Sequence, residues 1–297
     1  MNKKKIFMLG ASGFVGSAIL KAFTTDPSLE IYAAEHKSAV TDYPGIKKIN
    51  VSLSKAAKVI EDIKPDIVIH AARISGKNYR FLGRPIAAFF GQHANAKICQ
   101  TILKYNIKLL YISGSLMYGS HPAKKITEDF PLNPVSYAID YSKAEEPFLR
   151  NYKTGPVMIC RPGWIFGPNS WFKSFFEDII NKKGYIPQYG DGSQFMSIIH
   201  RDDLGLLVKN YALQAPFSNI YNMISPIGLS HKEFIKQLAG QCQKEIKIIP
   251  KEQLLKKYGQ VTCDALTCNI RMATNYPDII DHFDFKYKTV DDLLEPV

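Results

Sequence analysis

The chain has 297 residues, 46% hydrophobic and 22% charged, with a formal net charge of +11, which is enough for one large domain or two joined ones with an ample core. The positive balance suits nucleotides, phosphates or acidic glycans, while the lack of Lys/Arg clusters interleaved with aromatics argues against nucleic acid. No apolar run approaches the roughly 18 residues of a membrane span, and the five cysteines (Cys99, Cys160, Cys242, Cys263, Cys268) form neither a C-x-x-C pair nor a zinc pattern.

Free thiols point to the cytoplasm, and no metal site is expected. "MNKKK" is a short basic start that runs at once into a strand, without the apolar core of a signal peptide.

"KIFMLG" (5–10) reads as a strand and "GFVGSAILKAF" (13–23) as a helix. "EIYAAE" (30–35) and "IKKINVS" (46–52) are the next strands. "PDIVIHAA" (65–72) is a continuous apolar run of the kind buried on both faces of a parallel sheet. A helix near 86–104 leads to "IKLLYISGS" (107–115), and "GPVMICRPGWIFG" (155–167) follows. Strands alternating with helices at this spacing predict βαβ units in a Rossmann-type doubly wound parallel sheet. From residue 168 the texture turns aromatic and glycine-containing. A helix at 202–214, a strand at 218–225 and a helix at 230–240 follow, the last opened by Ser230 and Glu233 in capping-box spacing. The reading is a dinucleotide-binding domain over 1–167, rejoined by 196–215, and a smaller α/β substrate-binding region over 168–297.

"GASGFVG" puts Gly10, Gly13 and Gly16 at the first strand-to-helix turn, with Ser12, Phe14 and Val15 between them. A tight turn and close approach of backbone to a pyrophosphate both exclude a Cβ, and the helix N-terminus supplies amide donors. Glu35 lies nineteen residues beyond Gly16, at a strand end, where an acid grips the adenosine ribose. That favours NAD, while His36 and Lys37 leave a 2′-phosphate, and so NADP, open.

These segments together resemble the extended short-chain dehydrogenase/reductases, the group containing nucleotide-sugar epimerases, dehydratases and reductases. The similarity runs through "DIVIHAA" (66–72), "HANAKICQTI" (93–102), "YISGSLMYGS" (111–120), "TEDFPLNP" (127–134), "CRPGWIFGPN" (160–169), "GDGSQFMSIIHRDDLG" (190–205) and "YNMIS" (221–225). The resemblance implies a bound dinucleotide lined also by Asn50, Val51, Ala71, Ala72, Asn95, Pro162 and Gly163. It implies a substrate region including Trp164, Asn169, Trp171 and Arg201, a nucleotide-sugar substrate, and a homodimer. In such enzymes a tyrosine exchanges a proton with the reacting oxygen, and a lysine bonds the nicotinamide ribose and lowers the tyrosine's pKa.

Three departures stand out. Four residues before Tyr118, where the resemblance implies a hydroxyl, the chain has Gly114, flanked by Ser113 and Ser115. In "SYAIDYSKAEEP" (136–147), Lys143 follows Tyr137 by six residues and Tyr141 by two. Six residues rotate side chains by about 240° around a helix, so Tyr137 and Lys143 do not share a face of one regular helix. A helix that starts after Tyr137, or a π-type bulge, would reconcile them. The expected acid/base pair is therefore Tyr137 with Lys143, aided by Ser115 or Ser113. Tyr141 as the acid/base, or loss of the tyrosine in a non-catalytic dinucleotide-binding protein, is left open. Third, Met196 stands where many nucleotide-sugar members carry a diphosphate-binding arginine. Arg201, Lys173 or Lys182 would have to serve instead, or the substrate is a non-sugar carbonyl compound. Leu116 and Met117, where a dehydratase would carry acid and base, argue against 4,6-dehydration.

Overall fold

The computed structural model describes residues 3–74 and 83–294. In chain order the elements begin β1 (Lys4–Leu9), α1 (Phe14–Thr24), β2 (Leu29–Glu35), β3 (Lys47–Asn50), α2 (Ala56–Ile63) and β4 (Ile67–His70). They continue with α3 (Gly83–Tyr105), β5 (Lys108–Ile112), β6 (Lys125–Ile126), α4 (Ala138–Leu149), β7 (Val157–Pro162), β8 (Trp164–Phe166), α5 (Asp178–Lys183) and β9 (Ile186–Tyr189). The last are β10 (Phe195–His200), α6 (Arg201–Gln214), β11 (Asn219–Met223), β12 (Gly228–Ser230), α7 (His231–Cys242), β13 (Ile246–Ile249), α8 (Lys251–Thr267), β14 (Arg271–Met272), α9 (Pro277–Asp281) and α10 (Val290–Leu294).

Two compact units each draw on three segments. The first takes Met1–Ser113, Asp140–Arg161 and Leu204–Tyr221, and the second Gly114–Ile139, Pro162–Asp203 and Asn222–Val297.

In the first unit, seven strands order as β11-β7-β5-β4-β1-β2-β3, and the pairings from β7 through β3 are parallel. The order reverses between β1 and β4, which is where doubly wound sheets bind ligands beyond the carboxyl ends of their strands. Strand residues Phe7, Val68, Leu109, Val157 and Ile159 pack with Ile60 of α2, Ile98 and Ile102 of α3 and Phe148 of α4 in one buried cluster. The continuous apolar strands foreseen in the sequence are the ones enclosed by helices on the sheet faces.

In the second unit, β10 pairs antiparallel with β12 and parallel with β8, β9 pairs with β13, and β6 with β14. Phe166, Phe176, Tyr189, Met196, Phe234, Leu254 and Tyr287 form its core. The run 155–167 holds two strands, β7 and β8, divided at Gly163. A Cβ there would stand 2.2 Å from the Ser197 carbonyl oxygen, so only glycine permits that approach. Helix α7 carries the expected capping box: the Glu233 amide donates to Ser230 Oγ, and the Ser230 amide donates to the Glu233 carboxylate.

Candidate functional site

The turn after β1 is built around backbone. Gly10 has φ +82°, and a Cβ on it would meet Ala71 and the Ala72 nitrogen at 2.6 Å; one on Gly16 would stand 2.0 Å from the Gly10 carbonyl oxygen. The Gly13 amide donates to that same carbonyl at 2.9 Å. Helix α1 starts at Phe14, so the amides of its first turn are those a bound phosphate can meet. The glycines thus keep β4's end and α1's start tight against the turn, and the residues present fit a pyrophosphate cradle. Glu35 ends β2 and accepts the Val40 amide at 3.2 Å, with His36 and Lys37 exposed beside it. Asn50 ends β3 exposed, and Val51 follows buried.

Beyond β4 a directed chain of hydrogen bonds fixes helix α4. The Ala72 amide donates to His70 Nδ1 at 3.3 Å, so the ring proton sits on Nε2, which donates to Asn95 Oδ1 at 2.8 Å. Asn95 Nδ2 in turn donates to the Ala144 carbonyl at 2.7 Å. Burial pushes His70 down to about 4, so this relay holds a neutral imidazole. Asn95, foreseen as a cofactor residue, is 2% exposed and ties α3 to α4.

The inner face of α4 is set by Glu145. Its carboxylate accepts from Arg161 Nη2 at 2.7 Å and from the Ser113 hydroxyl; Glu145 is 2% exposed and Arg161 fully buried. A buried ion pair of this kind is costly unless both charges stay paired, which makes its geometry strict. Along the helix Tyr141 lies four residues before Glu145, within about 40° of it, whereas Lys143 lies two before, about 200° away. Accordingly Tyr141 is partly buried and Lys143 exposed. The Arg73 guanidinium stands over the Tyr141 ring at 4.3 Å. A narrow cavity lined by Ala72, Arg73, Asn95, Tyr111, Tyr141 and Ala144 lies there.

Tyr137, 41% exposed, is the residue immediately before α4. Ser136 ahead of it takes a left-handed φ of 58° and donates its hydroxyl to the Val261 carbonyl at 2.6 Å. The helix therefore starts after Tyr137, one of the two foreseen arrangements. The π-type turn lies elsewhere, at Lys173–Glu177.

The second unit holds the remaining foreseen residues. Ser115 opens a single 3-10 turn, Ser115–Met117; it is buried. Gly114 is extended (φ −173°) with open space around a would-be Cβ. Pro162 closes β7, and Asn169 adopts φ 62°. Trp164 and Trp171 cross edge-to-face at 4.9 Å within an aromatic cluster that includes Phe172 and Phe176. The Trp171 indole nitrogen is buried without a partner among the described residues. Arg201 pairs with Asp202 at 3.3 Å and Lys173 with Asp178 at 3.6 Å. Met196 is 2% exposed in the core. His200 packs on Tyr287 with ring centroids 3.7 Å apart, and burial holds it neutral, down to about 4. A surface hollow of about 410 Å³ is lined by Lys183, Lys247, Lys256 and Lys257 with Tyr185 and Tyr258. Among the described residues no group of His, Cys, Asp and Glu could hold a metal, and no helix is long and apolar enough to cross a membrane.

Sequence reasoning missed Arg73, Glu145 and Arg161. The signal for Glu145 was present: Tyr137, Tyr141 and Glu145 recur every four residues.

Residues 6–223, from β1 into β11, match the model of the NAD dependent epimerase/dehydratase family. The chain belongs to that family. Among curated proteins, UDP-glucose 4-epimerase of Mycolicibacterium smegmatis is 23% identical over 257 residues, covering 80% of this chain and 82% of that protein. Among solved structures, dTDP-glucose 4,6-dehydratase of Bacillus anthracis in complex with NAD superposes with a TM-score of 0.73. It is 19% identical, covering 96% of this chain and 92% of that one. The Bordetella bronchiseptica enzyme WbmG in complex with NAD and UDP gives a TM-score of 0.73 at 17% identity, with 97% and 91% covered. At these identities the structures establish a shared fold.

Proposed function

We propose that the chain is an NAD-dependent oxidoreductase or epimerase acting on a nucleotide-activated sugar. The observation that carries this is the glycine turn at the β1/β4 reversal, whose backbone leaves no room for a Cβ at Gly10 or Gly16, in a chain that belongs to an NAD-dependent family. Gly10, Gly13 and the first turn of α1 would hold the pyrophosphate and Glu35 the adenosine ribose. NAD held there would supply a hydride acceptor for oxidation, and a hydride donor for the return step where the reaction is an epimerisation.

The chain's own residues supply proton handling and substrate grip. Tyr137 takes the proton of the sugar hydroxyl, held to its task by the Ser136 anchor, and the Ser115 hydroxyl bonds the same oxygen. Ser113 is engaged by Glu145 and supports the frame. Leu116 is packed against the apolar cluster around Tyr118 and Met117 is buried, so this turn brings no acid for eliminating water, which favours oxidation or epimerisation over dehydration. The lysine-lined hollow beside α8 and the Trp171 indole, without a partner among the described residues, support an anionic substrate with groups to accept hydrogen bonds.

A second reading, a dinucleotide-binding protein without turnover, is favoured by Gly114 and by Ile139, which stands four residues before Lys143. One assay separates them. The chain is offered UDP- and dTDP-sugars with NAD, NADP and their reduced forms. The enzyme reading expects turnover that Tyr137→Phe lowers at least about 100-fold, the scale of general acid/base catalysis. Cofactor binding with no turnover across the panel supports the second reading.

A further inference from the structure

We propose that the lysine-lined hollow of the second unit is a binding site for linked phosphates carrying more than two negative charges, such as a triphosphate chain. This rests on the reading of the hollow as an anion site and raises the charge that it requires.

Strand register and helical spacing build the hollow. Strand β9 pairs in parallel with β13, setting Pro187 beside Lys247 and Tyr189 beside Ile249. Alternate residues share a strand face, so each strand turns its pair to the same side. Ile179 and Lys183 lie four apart on α5, and Gln253, Lys256 and Lys257 lie three and four apart on α8. All of them line one hollow of about 410 Å³, a size that suits a small ligand. Pro187 and Tyr189 are buried and Ile249 half-buried, while Lys183, Lys247, Lys256 and Lys257 are exposed around them.

Two of the four cations are seated on aromatic rings. Lys247 Nζ stands 4.9 Å from the Tyr185 ring centroid. Lys257 Nζ stands 4.4 Å from that of Tyr258 and donates to its hydroxyl at 2.6 Å. Tyr258 meets Phe175 edge-to-face at 5.8 Å, and the Phe175 carbonyl accepts the Tyr189 hydroxyl at 2.5 Å. A cation over a braced ring is both attracted and oriented.

The hollow lacks counter-charge. No Asp or Glu lines it, and among the described residues none of its four lysines pairs with a carboxylate. Elsewhere Lys58 pairs with Asp62 at 2.8 Å, Lys104 with Glu61 at 3.3 Å and Lys288 with Asp284 at 2.9 Å. Like charges gathered around one hollow repel, and a bound polyanion removes that cost. An esterified diphosphate brings about one charge per phosphate and answers only half of the set. A triphosphate chain, whose end phosphate is nearly doubly ionised, answers all of it. Lysine suits such a chain, being a point charge on a flexible stem.

The test is calorimetric titration of the full chain with inorganic tripolyphosphate at low salt, and needs neither NAD nor turnover. Binding is expected, falling steeply as salt rises, with UDP-glucose at least about 10-fold weaker. Lys247→Gln combined with Lys256→Gln, both at exposed positions, is expected to weaken tripolyphosphate at least about 10-fold. Lys58→Gln combined with Lys104→Gln removes the same charge from lysines already paired with acids and should stay within about twofold. UTP separates the two sources of such a chain. Binding tighter than tripolyphosphate assigns the site to a nucleotide whose base rests on the apolar side chains; equal or weaker binding assigns it to free polyphosphate. Equal losses in the two double variants, or UDP-glucose binding as tightly as tripolyphosphate, overturn the proposal. So does the absence of tripolyphosphate binding, while turnover of sugar nucleotides by the same sample would leave the enzyme reading standing.

Discussion

The glycine turn after β1 and the first turns of α4 are both short segments to which sequence assigns chemistry, and they differ in how that assignment can be read. At the glycine turn the requirement is local. Gly16 is glycine because a Cβ would sit 2.0 Å from a carbonyl six residues earlier, so spacing alone conveys the geometry. In α4 the meaning of each side chain depends on which face is inward. That is decided by Arg161 on β7 and Ser113 beyond β5, sixteen and thirty-two residues from Glu145. A motif held by backbone sterics is legible one residue at a time. One held by helical phase is legible only with its distant partners.

The comparison can be broken most forcefully at Glu145. Glu145→Ala leaves Arg161 buried without its carboxylate and should cost about 3–5 kcal/mol, read as a fall in the denaturation midpoint. Lys143→Ala, two residues away, should stay within about 0.5 kcal/mol, as a solvated surface position does. Equal losses at the two positions would mean that the inner face of α4 has been assigned to the wrong residues.

Acid probes the relay behind that face. His70 is neutral in the fold, pushed down to about 4 by burial, while the unfolded chain takes up its proton near 6.5. The unfolded state therefore binds more protons as pH falls through this window. The stability tied to His70 is fully present above about pH 6.5 and is lost progressively down to about 4. The full span is worth about 3 kcal/mol for a group this buried. His200 and His231, also held down to about 4 by burial, add the same sign of dependence in the second unit. Equilibrium unfolding between pH 7 and 4.5 should show the decline, and His70→Gln should flatten part of it. A stability independent of pH across that range would contradict the neutral relay.

The smallest structural effect is expected at Gly114. Its backbone is extended and a Cβ meets nothing within 4 Å, so Gly114→Ser should change stability by under about 0.5 kcal/mol. If the missing hydroxyl limits the reaction, the same variant should turn over a sugar nucleotide faster than the unmodified chain.

The parallel sheet was legible because Phe7, Val68 and Leu109 sit in continuous apolar runs that only a doubly covered sheet can bury. The boundary at Gly163 was not, because the approach of Ser197 that divides β7 from β8 comes from thirty-four residues onward. The start of α4 after Tyr137 was readable as one of two arrangements. The contact of Arg73 with the Tyr141 ring was not, because the two residues lie sixty-eight positions apart. Met196 shows the same limit: the sequence marks a missing arginine, and only the packing explains methionine, buried with Phe166 and Phe234.

Chemical labelling of Lys143 with and without NADH tests the central claim most directly. The expected pairing of this exposed lysine with the cofactor predicts that Lys143 is acetylated rapidly without NADH and more slowly with it, as quantified by mass spectrometry of the peptide containing it. Acetylation at the same rate in both states would place its ammonium away from the cofactor and contradict that pairing.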